Sequence, residues 1–258
     1  MVGGAAAILT RRRVAAFVVL AAALAVYFTL HESLPELSLW WDVTVIATLV
    51  IPGVFATVGL ALPLRTVPWR WVAAIVFIGL AVAFSFLGWE APASFAKLAA
   101  ATFVGWLFLD FFEEASWVVI VALIIPWVDA YSVWRGPTNT IVHHHKGVFE
   151  HLSFAFPVPG EDNTANLGIP DLLFFALFLA ATAQYGLRTR LTWLLMTASF
   201  GVTIVLAVWR DLGGLPALPL LSLAFLAANG DLLWRHLRTR EKSPKQTEPR
   251  DSPSDMAR

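Results

Sequence analysis

Two aspartates of this chain lie inside strongly apolar segments. Asp129 lies in SWVVIVALIIPWVDAYSVW, and Asp171 lies in LGIPDLLFFALFLAATA. An ionisable side chain at membrane depth costs about 3 kcal/mol or more, so it normally faces a partner, a cavity or a reacting group. Two carboxyls that share a site do not easily ionise together, and the pair then holds one proton. Such a pair suits peptide hydrolysis, because the ionised carboxylate takes a proton from water while the protonated one polarises the carbonyl.

Each aspartate also has a separate interpretation. Asp171 follows Pro170 at the start of its apolar run, where a helix accepts proline and favours a carboxylate. On spacing alone, a paired site and two unrelated helix-end residues both remain open. A third apolar segment begins with the turn Pro216-Ala217-Leu218-Pro219.

The composition predicts a membrane protein. Hydrophobic residues make up 58% of the 258 residues and charged residues 14%, whereas roughly 25% of a soluble domain is charged. Many of the 12 tryptophans lie at the ends of apolar segments, as in an aromatic belt. The formal net charge is zero and no basic domain stands out, which argues against nucleic-acid binding. The lack of cysteine excludes disulfides, thiolate metal sites and cysteine nucleophiles.

Eight apolar segments approach the roughly 20 residues that a membrane-spanning helix needs. The predicted fold class is therefore all-α, a polytopic membrane helical bundle of about eight transmembrane helices. The fourth segment has an uninterrupted apolar core only over Leu98–Leu109, so it spans only if Lys97 and Asp110 extend toward the interfaces. The predicted spans are roughly 14–31, 43–62, 71–89, 94–112, 116–135, 169–187, 191–209 and 215–234.

The chain divides into three predicted regions. Residues 1–112 hold about four N-terminal transmembrane helices, residues 113–237 hold core helices with the long loop 136–166, and residues 238–258 form a disordered tail. A loop of that length is often functional, and its apolar stretch SFAFPVP could add a strand near the site. Lysine and arginine concentrate on the side of both termini, which predicts cytoplasmic termini and an external loop.

The long loop also carries the histidines that would be the first candidates for a metal site. His143, His144 and His145 are consecutive, and His151 follows. Consecutive histidines in an irregular loop rarely form a closed site, and no carboxylate stands at a recognisable ligand spacing. We therefore predict neither a metal nor a cofactor.

The order of these motifs resembles the presenilin and signal peptide peptidase family of intramembrane aspartyl proteases. FLDFFEEASWVVIVALIIPWVDAYSVWRGPT is similar to the family segment with the first catalytic aspartate, LGIPDLLFFALF to its Gly-x-Gly-Asp segment, and GLPALPLLSLAF to its Pro-Ala-Leu motif. The resemblance covers about 106–234. It implies Asp129 and Asp171 as the catalytic pair, and transmembrane or signal-peptide helices as substrates. The residues implied to shape the site are Gly168, Pro170, Pro216, Ala217 and Leu218.

Three features depart from the family pattern. Val128 replaces a tyrosine, Pro170 replaces the second glycine, and four spans rather than five precede the Asp129 helix. Proline lacks the N–H that could bond a substrate strand, so a catalytically inactive presenilin-like protein is one alternative. A proton-coupled transporter is another, since buried aspartates on broken helices also relay protons. The compact, arginine-rich chain indicates a prokaryotic plasma membrane, and the predicted orientation is like that of signal peptide peptidases.

Overall fold

The protein is a mostly helical bundle in a computed structural model that describes residues 10–135, 153–161, 164–210 and 215–241. A π-helical turn, Ile46–Val50, joins α2 to α3, and 3-10 turns follow α1 and α3 at His31–Ser33 and Leu62–Thr66. The helices are α1 Arg11–Leu30, α2 Leu39–Val45, α3 Ile51–Ala61, α4 Arg70–Phe86, α5 Glu90–Leu109, α6 Ala115–Arg135, α7 Ile169–Gln184, α8 Thr189–Trp209 and α9 Leu218–Glu241.

Each predicted span corresponds to a helix, with α2 and α3 forming one continuous stretch. Among the described residues, five helical stretches are long and apolar enough to cross a membrane, which supports an integral membrane protein. The helices α4 and α7 are apolar but shorter, at 17 and 16 residues. The five stretches are Arg11–Ser33, Leu39–Thr66, Glu90–Leu109, Ala115–Ser132 and Thr189–Trp209.

The predicted tail begins later than the sequence indicates. Helix α9 runs on to Glu241, so the first residues of the predicted disordered region 238–258 are helical. Residues 242–258 lie outside the described part of the chain. The arginine-rich end of α9 is therefore part of the helix. Arg and Lys are good helix formers, and the sequence has no proline there before Pro244.

Helix α7 lies at the centre of the bundle. Every residue from Phe175 to Ala181 has essentially no exposed surface, as expected for a helix that is apolar on all sides. Helix α5 packs along α7, α4 covers α5, and α8 and α9 pack on each other and also contact α7. Helix α6 packs mainly against α9 and touches α7 only lightly. The helix that carries Asp129 is thus packed on α9, and both of these helices contact α7 only lightly.

The connection between α6 and α7 contains an antiparallel pair of strands within a fold that is otherwise mostly helical, as predicted. Strand β1 (Ser153–Pro157) pairs with β2 (Thr164–Gly168), and Ser153 lies opposite Gly168. The possible strand at SFAFPVP is present, and its partner β2 lies in a stretch predicted as loop. Strand β2 leads directly into α7. Phe154 and Phe156 of β1 are fully buried and hold the hairpin against the bundle.

Helix α5 is more deeply embedded than the sequence indicates. Its Lys97 was expected to extend toward the interface, but its side chain is buried and its Nζ donates to the main-chain oxygen of Ser153, at 3.0 Å. Asp110, at the other end, forms an ion pair with Arg70 at the start of α4. Lys97 is therefore satisfied inside the protein, whereas the side chain of Asp110 stays 45% exposed beside Arg70.

Gly105 permits the close approach of α5 to α7, and we expect Gly105→Ala to separate them. A Cβ at this position would lie 2.5 Å from the main-chain oxygen of Leu173, a distance that requires a backbone shift. The expected loss of stability is about 1–3 kcal/mol, the usual effect of overpacking. Thermal unfolding in detergent measures it.

Gly79→Ala in α4 is the matched control, because its added Cβ would meet no atom within 4 Å. Removing a helical glycine without a clash is expected to leave stability unchanged or raise it by up to about 1 kcal/mol. Equal unfolding temperatures for the two variants would contradict the close α5–α7 contact.

Candidate functional site

Asp129 is held by the start of another helix. Its half-buried side chain lies on α6, and its Oδ2 accepts a hydrogen bond of 3.1 Å from the N–H of Leu218. Leu218 is the first residue of α9. The first N–H groups of a helix have no partner within the helix and favour a carboxylate. The Pro-Ala-Leu turn and the first aspartate, which are 89 residues apart, therefore form one unit.

Asp171 is held by the residue that precedes its own helix. It lies in the first turn of α7, and its carboxyl lies beside the main chain of Gly168, the N-cap residue. A Cβ on Gly168 would lie 3.1 Å from Asp171 Oδ2, closer than ordinary contact. A larger residue at position 168 would therefore displace the carboxylate. Gly168 fits because it allows the carboxyl to fold back onto the end of β2.

The structure places the two aspartates near each other. The charge of Asp129 acts on the carboxyl of Asp171, and both residues are half-buried. The main-chain N–H of Leu218 donates to the carboxyl of Asp129, and the main chain of Gly168 lies beside the carboxyl of Asp171. Two neighbouring carboxyls can share one proton.

The remaining predicted site residues lie around this pair. Ala217 and Leu218 are buried, at 3% exposure each, and Pro216 is half-buried just before them. Pro170 is exposed and lies within the first turn of α7, where its missing N–H breaks no helical hydrogen bond. The prediction that Pro170 is compatible with a helix start is therefore confirmed.

Sequence reasoning overlooked Pro126, which lies inside α6 about one turn before Asp129. A proline within a helix removes the hydrogen bond to the residue four positions earlier, here Ala122. At membrane depth, the freed carbonyl must be satisfied by neighbouring groups or by a cavity. A proline in the middle of an apolar run was the signal that could have identified this interruption.

An apolar cavity of about 770 Å³ lies on another face of α7. Ile169 and Leu173 line it, together with residues of α4 and α5 that include Lys97. Ile169 and Leu173 are one turn apart on the same side of α7, and Asp171, halfway between them in sequence, projects from roughly the opposite side. The cavity is therefore distinct from the carboxyl pair.

The described residues contain no group of three histidine, aspartate or glutamate side chains that could hold a metal ion. His143, His144, His145 and His151 lie outside the part of the chain that the structure describes. No protein-family model, curated protein or solved structure matches this chain. Its function must therefore be inferred from the residues and their geometry.

Proposed function

We propose that this protein is an intramembrane aspartyl protease that hydrolyses peptide bonds of transmembrane or signal-peptide helices. One observation carries the proposal: Asp129 and Asp171, from two different apolar helices, lie near enough for the charge of one to act on the other, and Asp129 accepts a main-chain hydrogen bond from Leu218. The motif order, which resembles that of presenilins and signal peptide peptidases, supports the same reading.

The reaction uses the pair in its singly protonated state. The ionised carboxylate takes a proton from a water molecule, whose oxygen attacks the scissile carbonyl carbon, while the protonated carboxyl gives its proton to the carbonyl oxygen. The carboxyl that took the proton from water then gives it to the leaving nitrogen as the C–N bond breaks, and the other carboxylate regains a proton from a hydroxyl of the collapsing intermediate. The N–H of Leu218 keeps the carboxyl of Asp129 oriented through this cycle.

The substrate must present an extended backbone, because a peptide bond within a helix is shielded by its own hydrogen bonds. Strand β2 ends three residues before Asp171, and in the described residues it pairs with β1 on one edge. Its other edge can accept an unwound segment as an added strand. Beside Asp129, the side chains of Trp127, Val128 and Tyr131 are exposed on α6. That face offers a substrate helix a route to the site from within the bilayer.

We further propose eight spans, cytoplasmic termini and a prokaryotic plasma membrane. Under this orientation the ion pairs Arg70–Asp110 and Arg188–Asp231 both lie at the cytoplasmic ends of their helices. Substrates would then be type II segments, whose N-termini are cytoplasmic. This orientation is inferred from the distribution of lysine and arginine and from the eight spans predicted by the sequence.

Cleavage assays in liposomes test the proposed function. We expect the purified protein to cleave single-span peptides, and we expect a chelator to leave the rate unchanged, because the mechanism needs no metal. Mass spectrometry of the products locates the cut within the span. Peptides in both orientations test the type II preference. Proton-coupled flux of a solute, with every peptide left intact, would favour the transporter alternative and overturn the protease.

A further inference from the structure

Lys97 is a buried cation that the reaction described above does not use. Its side chain is 8% exposed, and its Nζ donates a 3.0 Å hydrogen bond to the main-chain oxygen of Ser153. Lysine is almost never fully buried unless it is paired, because an ammonium group loses much of its solvation inside a protein. A lysine at this depth is therefore expected to have a specific structural or functional role. Its hydrogen bond to Ser153 connects it to the first residue of β1.

That contact is connected to the carboxyl of Asp171 through Ser153 and Gly168. Ser153 lies directly opposite Gly168 in the strand register, and its Oγ donates to Asn166 Oδ1 of β2, at 3.0 Å. The main chain of Gly168 in turn lies beside the carboxyl of Asp171, since a Cβ built on Gly168 would be 3.1 Å from Oδ2. A displacement of the Ser153 end of β1 therefore moves Gly168, and with it the main chain against which Asp171 lies.

The opposite end of the hairpin has separate anchors. The hydroxyl of Tyr27 donates to the oxygen of Pro157 at 2.6 Å, and the N–H of Gly160 donates to the oxygen of His31 at 2.7 Å. At the Ser153 end, the buried ring of Phe154 packs edge-on against Phe28 of α1. Loss of the Lys97 contact would thus leave the hairpin attached to the bundle but remove a hydrogen bond that fixes the main chain of Ser153 at the end next to Asp171.

We propose that Lys97 is a positioning residue, which holds the Ser153–Gly168 end of the hairpin so that Asp171 keeps its reactive orientation. The proposal rests on the proposed proteolytic function. Lys97 acts through the main chain of β1 and β2, and it does not touch the reacting atoms. Helix α5 thereby contributes to a site whose carboxyls lie on α6 and α7.

Hydrogen exchange followed by mass spectrometry tests the anchoring without any need for activity. Lys97→Met keeps the length of the side chain and removes its donors, and Lys97→Arg keeps charge and donors. We expect Lys97→Met to speed exchange of the amides in 153–157 and 164–168 by about tenfold, the effect of one lost charged hydrogen bond. Lys97→Arg should remain near the wild type. If Lys97→Met does not fold, Lys97→Gln, which is shorter and uncharged, takes its place with the same expected direction.

Thr102→Val is the control within the same helix. Thr102 is buried at 5% exposure, and its hydroxyl bonds only to its own helix in the contact described, at Leu98. Its replacement removes a buried polar group from α5 and leaves the Lys97–Ser153 hydrogen bond in place. Exchange in the two strands should therefore stay unchanged.

Cleavage kinetics complete the test. We expect Lys97→Met to lower kcat by about 10–100-fold with KM within about twofold, since a misplacement of 1 Å costs about that much in rate. Lys97→Arg should recover most of kcat. Unchanged exchange in Lys97→Met, faster exchange with unchanged kcat, or equal effects of Thr102→Val would each overturn the proposal. A wild type that cleaves nothing would overturn the proposed function instead, and the exchange measurement alone would then decide whether Lys97 holds the hairpin.

Discussion

Asp129→Asn and Asp171→Asn are each expected to lower the cleavage rate by about 10⁴-fold or more. An amide has nearly the shape of a carboxyl but can neither take a proton from water nor donate an acidic one, so each variant removes one half of the mechanism. Residues that act as a unit have non-additive effects, so the double variant should be no slower than either single variant. Single-turnover cleavage of a single-span substrate in liposomes measures all three rates.

Asp42→Asn is the matched control for this loss. Asp42 of α2 is also buried, at 4% exposure, and its Oδ1 lacks a hydrogen-bond partner within the described residues. Its charged neighbour is Glu161 near the end of the hairpin, and it belongs to neither half of the carboxyl pair. We expect its activity to stay within a few-fold of the wild type. Substantial cleavage by Asp171→Asn, with loss of cleavage by Asp42→Asn, would place the reaction elsewhere.

Leu218→Pro is expected to lower the cleavage rate by about 100-fold, the usual effect of removing one oriented main-chain or amide donor. The substitution deletes the N–H that donates to Asp129 Oδ2 at 3.1 Å. Leu218 is the first residue of α9, where proline is accepted without breaking the helix. The carboxyl would remain in place but lose the contact that orients it. The same liposome assay measures the rate.

Leu218→Ala separates the role of the N–H from that of the side chain. The alanine variant keeps the donor but removes a buried side chain, 3% exposed in the wild type, at a cost of about 2–5 kcal/mol. The two variants should therefore rank in opposite order for stability and for activity. Leu218→Ala loses more thermal stability, and Leu218→Pro loses more activity. If Leu218→Ala is slower than Leu218→Pro at a temperature where both are folded, the main-chain donor is not what orients Asp129.

The sequence by itself determined the helices and the segments that carry the two aspartates. Apolar length is a local property, and in a bilayer a segment must satisfy its own backbone, so each long apolar run becomes a helix. The same local logic placed Asp171 and Pro170 in a first helical turn, which the structure bears out. Proline and carboxylate preferences at helix starts depend on neighbours in sequence, and they are therefore readable from it.

Only the tertiary structure decided which groups meet. The Leu218 donor and Asp129 are 89 residues apart, and Lys97 and Ser153 are 56 residues apart. Such contacts depend on which faces of the helices pack together, and no local period of the sequence encodes that choice. From the sequence, a lone lysine in an apolar run is expected at the membrane interface. Lys97 is buried instead because the main-chain oxygen of Ser153, on a strand distant in sequence, accepts its hydrogen bond. The hairpin itself becomes a strand pair because α5 and α1 supply the apolar surface and the donors that hold it.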